Sequence, residues 1–339
     1  MSKIKCKNLS ESINIISSNL SLIRFISAIF VIFCHAYPLS ANEVDVLSRI
    51  SGGTLSFGNL AVAVFLISSG LLVSKSIEKK GEAKTYFKAR CIKIFPPLIL
   101  TVIATIIIMG IFFSNYEFLI YLKMSGTYKY LLNCILVPIH SLPGVFLNNI
   151  YGSTVNGSLW TLPIEFICYI GLFIAFKISL TKREYFKYTF IPVILLYIFI
   201  NIIDFSIIIA LKGYLQPIFM FYMGMYYYIY RDKIYFNLKY FIFCIFGFCI
   251  TIVLRNAWIG LFMFFPYIIV YLSFGIRQIS NYANKLGNIS YGIYLCAFPI
   301  QQAIVHCFGG SMNPIVNVIL AVPLSILMGL VIYYFGEKK

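Results

Sequence analysis

Three ionisable residues stand in apolar stretches of this chain, Arg24, His35 and Glu165: the histidine and the glutamate are of types that move protons, and the arginine is of a type that holds negative charge. Arg24 and His35 share one run, LIRFISAIFVIFCHAYPL, over residues 22–39. A charge or an imidazole inside an apolar span is costly and is kept for a partner or a task. Eleven residues turn a helix through about 1100°, which returns to within roughly 20° of the start. Arg24 and His35 therefore share a face, with Ala28 and Val31 between them, about 16 Å apart along the axis. Histidine is the usual general base near neutral pH. Taken alone, Arg24 reads equally as an arginine snorkelling to an interface, and His35 as a hydrogen-bonded packing residue. Their common face weakens both readings. Glu165 is the only acid in residues 158–176. It reads as a structural partner for Arg24 or another base, or as a carboxylate that orients a histidine or binds a sugar hydroxyl.

Other residues are candidates in the same sense. Arg90 and Lys93 lie one turn apart before Phe95-Pro96-Pro97, at the start of an apolar run. That suits holding an anionic phosphate, although a solvated basic loop explains most of the surrounding charge. Trp160 reads as an interface anchor or as a stacking surface for a ring. Ser69, within Ser68-Ser69-Gly70, suits close helix packing or a cavity wall. Tyr291 and Tyr294 are one turn apart and are expected to face one cavity. Asp204, His140 and His306 read as interfacial. The nine cysteines are scattered without a C-x-x-C pair, and there are three histidines, so neither a disulfide framework nor a metal site is signalled.

The elements that must position these residues are membrane helices. The chain is 60% hydrophobic and 11% charged, where about a quarter of residues are charged in a soluble domain. Ten apolar spans are predicted, at 22–39, 57–74, 94–113, 158–176, 188–209, 213–230, 238–254, 257–276, 286–307 and 313–335. An amphipathic or re-entrant piece is expected near Tyr128 to Ile139. The fold class expected is all-α: a polytopic integral membrane protein, one transmembrane domain over 1–339, both termini cytoplasmic, with no appended soluble domain. The apolar run after Lys3, Lys5 and Lys7 reads as a retained first helix, because the basic segment is long and no A-x-A site follows. With the N-terminus inside, 21 of the 27 Lys and Arg fall in inner loops, five in outer loops, and Arg24 in a helix. This is the positive-inside pattern. It explains the net charge of +16 without nucleic acid. No inverted repeat of the transporter kind is visible.

Five blocks resemble, in order, the bacterial membrane-bound acyltransferase-3 family. They are Arg24 with His35 ten intervening residues on, Gly58 to Gly70, Arg90 to Pro96, Ser158 to Glu165, and Leu286 to Leu295. The chain departs from the family pattern at four points. Lys93 stands for a second arginine, Ala63 for a frequent acid, Phe166 for a second glutamate, and Cys296-Ala297 where a histidine is common. The resemblance implies O-acylation of a surface-glycan or lipid-linked sugar hydroxyl, with acetyl-CoA or another acyl-CoA as co-substrate and no bound cofactor, in the bacterial cytoplasmic membrane. It implies Arg90, Lys93 and Arg24 on the donor. It implies His35 as general base or transient acyl acceptor, with Glu165 orienting or charge-balancing it. Trp160, Ser69, Tyr291 and Tyr294 would line the acceptor cavity. A transporter or flippase of a lipid-linked glycan is the alternative. It would move substrate without acyl transfer.

Overall fold

Asn19 ties the start of the first long helix to a distant part of the chain. Its side-chain NH2 donates to the carbonyls of Leu272 and Arg277, each at 3.3 Å, and its side-chain oxygen accepts from Ile279 N–H at 2.8 Å. A computed structural model describes residues 8–13, 18–203, 206–279, 286–287 and 289–337. Lys3, Lys5, Lys7, Asp204, Lys285, Lys338 and Lys339 lie outside the described residues. A single turn, α1 (Leu9–Ser12), comes first, then α2 (Leu20–Ala41), which ends at Asn42 in the left-handed region at φ 54°. Asparagine is one of the few side chains that tolerate that conformation. A short α3 (Val46–Ile50) follows, its N-terminus capped by the Asp45 carboxylate.

Two long helices follow, α4 (Phe57–Lys80) and α5 (Ala83–Phe112), joined by a tight turn at Gly81. Ser56 and Asn59 close a reciprocal capping box at the start of α4. Gly81, at φ 56°, ends it. The expected basic loop at 75–93 is therefore corrected. It is two helical extensions around a tight turn, and Arg90 and Lys93 ride on α5 itself. The Lys, Glu and Ala of this stretch are good helix formers, so the helices run on past their apolar cores.

Residues 114–157 hold α6 (Phe118–Lys123), α7 (Ser125–Tyr130) and a 3-10 turn, Leu131–Ile135. The re-entrant piece expected near Tyr128 to Ile139 is thus broken into short turns. A 3-10 turn, Ser158–Trp160, leads into α8 (Thr161–Lys177). Then come α9 (Arg183–Ile202), α10 (Ser206–Ile229), α11 (Leu238–Val253), and the bent pair α12 (Ala257–Met263) and α13 (Phe265–Val270). The last long helices are α14 (Ser290–Cys307) and α15 (Pro314–Ile332). No strand occurs among the described residues, only isolated bridges. Every predicted span has a helical counterpart. By length and apolarity alone six helices suffice to cross a bilayer, or seven with the bent pair.

The fold sorts its loops to two ends. At one end Arg231 pairs with Glu78 and Arg183 with Asp232. There the N-terminal segment adds bonds from Leu9 N–H to the Ile234 carbonyl and from the Lys75 ammonium to the Ile13 carbonyl. This is the basic end, assembled from the loops expected to be cytoplasmic. At the opposite end Met312 N–H donates to the Ser40 carbonyl and Ile150 N–H to the Gly310 carbonyl. The core between is held by close backbone approach. A Cβ on Gly70 would fall 2.1 Å from the Phe221 carbonyl oxygen, and one on Gly224 would fall 2.2 Å from that of Ile67. Small residues at such crossings let α4 and α10 pack backbone to backbone.

Candidate active site

His35 sits in the half of α2 away from the basic end. Its ring lies edge to face with Phe298, centroids 5.1 Å apart. Its Nδ1 is buried and has no hydrogen-bond partner among the described residues. The ring lines a cavity of about 240 Å³. The start of α4 contributes Ser56, Asn59 and Val62 to the wall. The turn before α8 gives Ser158 and Trp160, and α10 gives Gln216 and Met220. Val31 lines the cavity one turn before His35, so the predicted face of α2 is the face that meets it.

Arg24 lies toward the basic end of the same helix. Its guanidinium stands 5.8 Å from the centre of the Phe65 ring, within range of a cation–π contact. Its Nε is buried without a hydrogen-bond partner among the described residues. Phe65 in turn meets Tyr294 edge to face at 5.8 Å. Tyr294 reaches the cavity wall, its hydroxyl 2.6 Å from Thr161 Oγ1 and donating to the Ser158 carbonyl at 2.5 Å. Arg24, Phe65, Tyr294 and the His35 cavity thus form a continuous line. Tyr291 leaves it. Its hydroxyl donates to the Ile94 carbonyl on α5 at 3.1 Å. The expectation that both tyrosines face one cavity is corrected: Tyr291 packs toward α5, and only Tyr294 is in this wall.

Glu165 is also placed differently from expectation. Its Oε1 accepts from Ser69 Oγ at 2.6 Å and from the Tyr169 hydroxyl, and Ser69 Oγ is 2.9 Å from that hydroxyl. Neither Glu165 nor Ser69 lines the His35 cavity. The Arg90 guanidinium stands 5.8 Å over the Tyr169 ring, and its Nη2 donates to Ser76 Oγ at 3.3 Å. Lys93 is half-buried on the next turn of α5. Glu165 therefore belongs to a cluster with Ser69, Tyr169 and Arg90. Its lone pairs go to hydroxyls, not to the histidine. The other two histidines stay apart: His140 Nδ1 is 3.1 Å from the Asn156 carbonyl oxygen, and His306 packs on Phe113 and Phe146.

Trp160 lies in the wall with its ring edge to face with exposed Tyr214, 5.8 Å between centroids. Sequence reasoning missed Asn59 and Gln216. Neither is charged, and each sits in an otherwise apolar stretch, so nothing in the local pattern singles it out. It also missed Asp45. This buried carboxylate accepts from the N–H groups of Leu47, Ser48 and Phe57, and Cys34 Sγ donates to it at 3.5 Å.

The acyltransferase domain family matches residues 17–334. The chain belongs to the acyltransferase-3 family. That match runs through every site residue named above. Among curated relatives, an "O-acetyl transferase" of Shigella phage Sf6 is 29% identical over 147 residues, covering 43% of this chain and 42% of the relative. "Nodulation protein 10" of Rhizobium leguminosarum bv. viciae is 27% identical over 168 residues, 46% of this chain and 43% of the relative. The chain thus matches less than half the length of either. No solved structure matches. As an acyltransferase-3 protein the chain is a polytopic membrane protein, in accord with its all-helical fold and its apolar helices.

Proposed function

We propose that this protein is a membrane O-acyltransferase of the bacterial cytoplasmic membrane. It moves an acyl group, acetyl in the simplest case, from a cytoplasmic acyl-CoA to a hydroxyl of a surface-glycan or lipid-linked sugar. The observation that carries the reading is His35: an imidazole whose buried Nδ1 has no hydrogen-bond partner among the described residues, set in the wall of a cavity in the half of the bundle away from the basic end. An acceptor hydroxyl in that cavity gives its proton to His35 while its oxygen attacks the thioester carbonyl. The new C–O bond forms, the C–S bond breaks, and the proton passes from His35 to the departing thiolate. The acceptor enters from the opposite end and the donor from the basic end, so both reach the reacting carbonyl without either crossing the membrane.

The donor side is read from the remaining cations. Arg24, Arg90 and Lys93 all lie toward the basic end, where an acyl-CoA carries its phosphates. In this reading its pantetheine arm runs from Arg24 toward His35, alongside the packed side chains of Phe65 and Tyr294. Glu165, bonded to Ser69 and Tyr169 beneath Arg90, balances that arginine and holds the donor side in shape. It is a positioning residue for the donor in this scheme.

The test is made in the host. O-acetyl groups on its surface glycan are measured in a deletion strain and in the same strain carrying the wild-type gene. Loss on deletion with restoration by the gene is expected. Unchanged acetylation with accumulation of lipid-linked intermediates would favour a glycan transporter and overturn the transferase.

A further inference from the structure

The wall of the His35 cavity contains no aspartate, glutamate, lysine or arginine among the described residues. The acids closest to it in the chain are occupied elsewhere, Glu43 by an ion pair with Arg49. Asp45 is held by three backbone N–H groups and the Cys34 thiol, and Glu165 by Ser69 and Tyr169. Lys212 precedes the wall residue Gly213 but is not itself in the wall. Ala63 stands in the wall with a methyl group only. The polar groups that remain are neutral: the amides of Asn59 and Gln216 and the hydroxyls of Ser56, Ser158 and Tyr294. Trp160 adds an aromatic surface.

Such a wall discriminates by charge. An anionic group drawn into it would lose its water and find no cation in return, and burial of an unpaired charge is strongly unfavourable. A carboxylate or phosphate beside His35 would do further harm. It would stabilise the protonated imidazole and so remove the base. Amides and hydroxyls suit the opposite kind of ligand, since each both donates and accepts and can meet the hydroxyls of a neutral ring. At about 240 Å³ the space is below the roughly 300–1,000 Å³ of pockets for drug-sized ligands, which fits one ring better than a chain segment. We infer that the acceptor presents a single uncharged sugar ring to His35, hydrogen-bonded by Asn59 and Gln216 and resting against Trp160. Uronic acids and phosphorylated sugars are excluded from the reacting position. The inference rests on the transfer reaction proposed above and adds the class of its acceptor.

The test has two arms. In the host, nuclear magnetic resonance of the surface glycan locates the O-acetyl group that disappears on deletion. A neutral sugar is expected there. An acetylated uronic acid or phosphorylated residue would overturn the inference while leaving the transferase intact. Loss of no O-acetyl group would overturn the transferase and the inference with it. In the second arm the purified full-length protein in lipid nanodiscs receives labelled acetyl-CoA. It is offered methyl glucoside, galactoside and mannoside, each beside the matching methyl uronate. At least one neutral glycoside is expected to take up label ten times faster than its uronate. Equal or faster labelling of the uronates would overturn the inference, as would labelling of none of the six by a protein that acetylates its host glycan.

Discussion

A histidine with a buried, unpaired ring nitrogen is a costly residue to keep in a helix that faces lipid and apolar side chains. His35 has that cost, and Arg24 shares it with a buried Nε. Both were legible in the sequence because the helical period places them on one face, and Val31 and His35 on that face both line the cavity. Glu165 was only half legible. Its presence in an apolar run marked it, but its partner Ser69 is 96 residues earlier in the chain, which no local pattern reveals. The geometry separates the two residues by role, and kinetics should do the same. Glu165→Gln is expected to raise the KM for acetyl-CoA several-fold and to lower kcat far less than loss of His35 does. Ser69→Ala should shift the same parameter in the same direction, because it removes a hydrogen bond to the same carboxylate oxygen. A fall in kcat with unchanged KM in both variants would return Glu165 to the histidine.

At the scale of elements, the predicted segments lie on helices, because apolar length is readable, but 257–276 is broken into the bent pair α12 and α13, and six or seven helices suffice to cross a bilayer by length and apolarity. Their ends were less so. Helices α4 and α5 continue through 75–93 because lysine, alanine and glutamate favour helix wherever water or a neighbouring helix accepts their heads. The contact between α4 and α10 was invisible for a different reason. It depends on Gly70 meeting Gly224 across 154 positions of sequence. This pair predicts a clear contrast. Gly224→Val places a side chain where the Ile67 carbonyl already sits, at a cost of about 1–3 kcal/mol or more from overpacking. The variant should show lower thermal stability in detergent and reduced yield in membranes. Gly171→Ala on α8 meets nothing within 4 Å and should be neutral or slightly stabilising, by up to about 1 kcal/mol. Equal stability of the two variants would argue against the close α4–α10 crossing.

At the scale of the molecule, the charge pattern and the contacts agree. The segments around Glu78, Arg183 and Arg231 were assigned to one side from their lysines and arginines, and the fold joins them by ion pairs. By the positive-inside rule the basic end is expected on the cytoplasmic side. Single cysteines in an otherwise cysteine-free protein should show it. Tyr151→Cys, exposed at the end away from the ion pairs, is expected to react with a membrane-impermeant maleimide in intact cells. Lys88→Cys, exposed on the basic extension of α5, should react only after the membrane is opened. The reverse pattern would turn the bundle over and place the donor residues on the wrong side. The identity of the acceptor sugar was not legible at any scale of the sequence, because the wall that would read it is drawn from α2, α4, α10, α12, α14 and the turn before α8.

The most direct test of His35 is a rate. Wild type and His35→Ala, at equal abundance in nanodiscs, are compared for acetyl transfer from acetyl-CoA to the host's own lipid-linked glycan. General-base catalysis predicts a fall in kcat of about 10²–10⁴-fold, with the KM for acetyl-CoA changed little, because the residues proposed for the donor lie toward the basic end. Retention of wild-type kcat by His35→Ala would contradict the mechanism and move the chemistry elsewhere in the bundle.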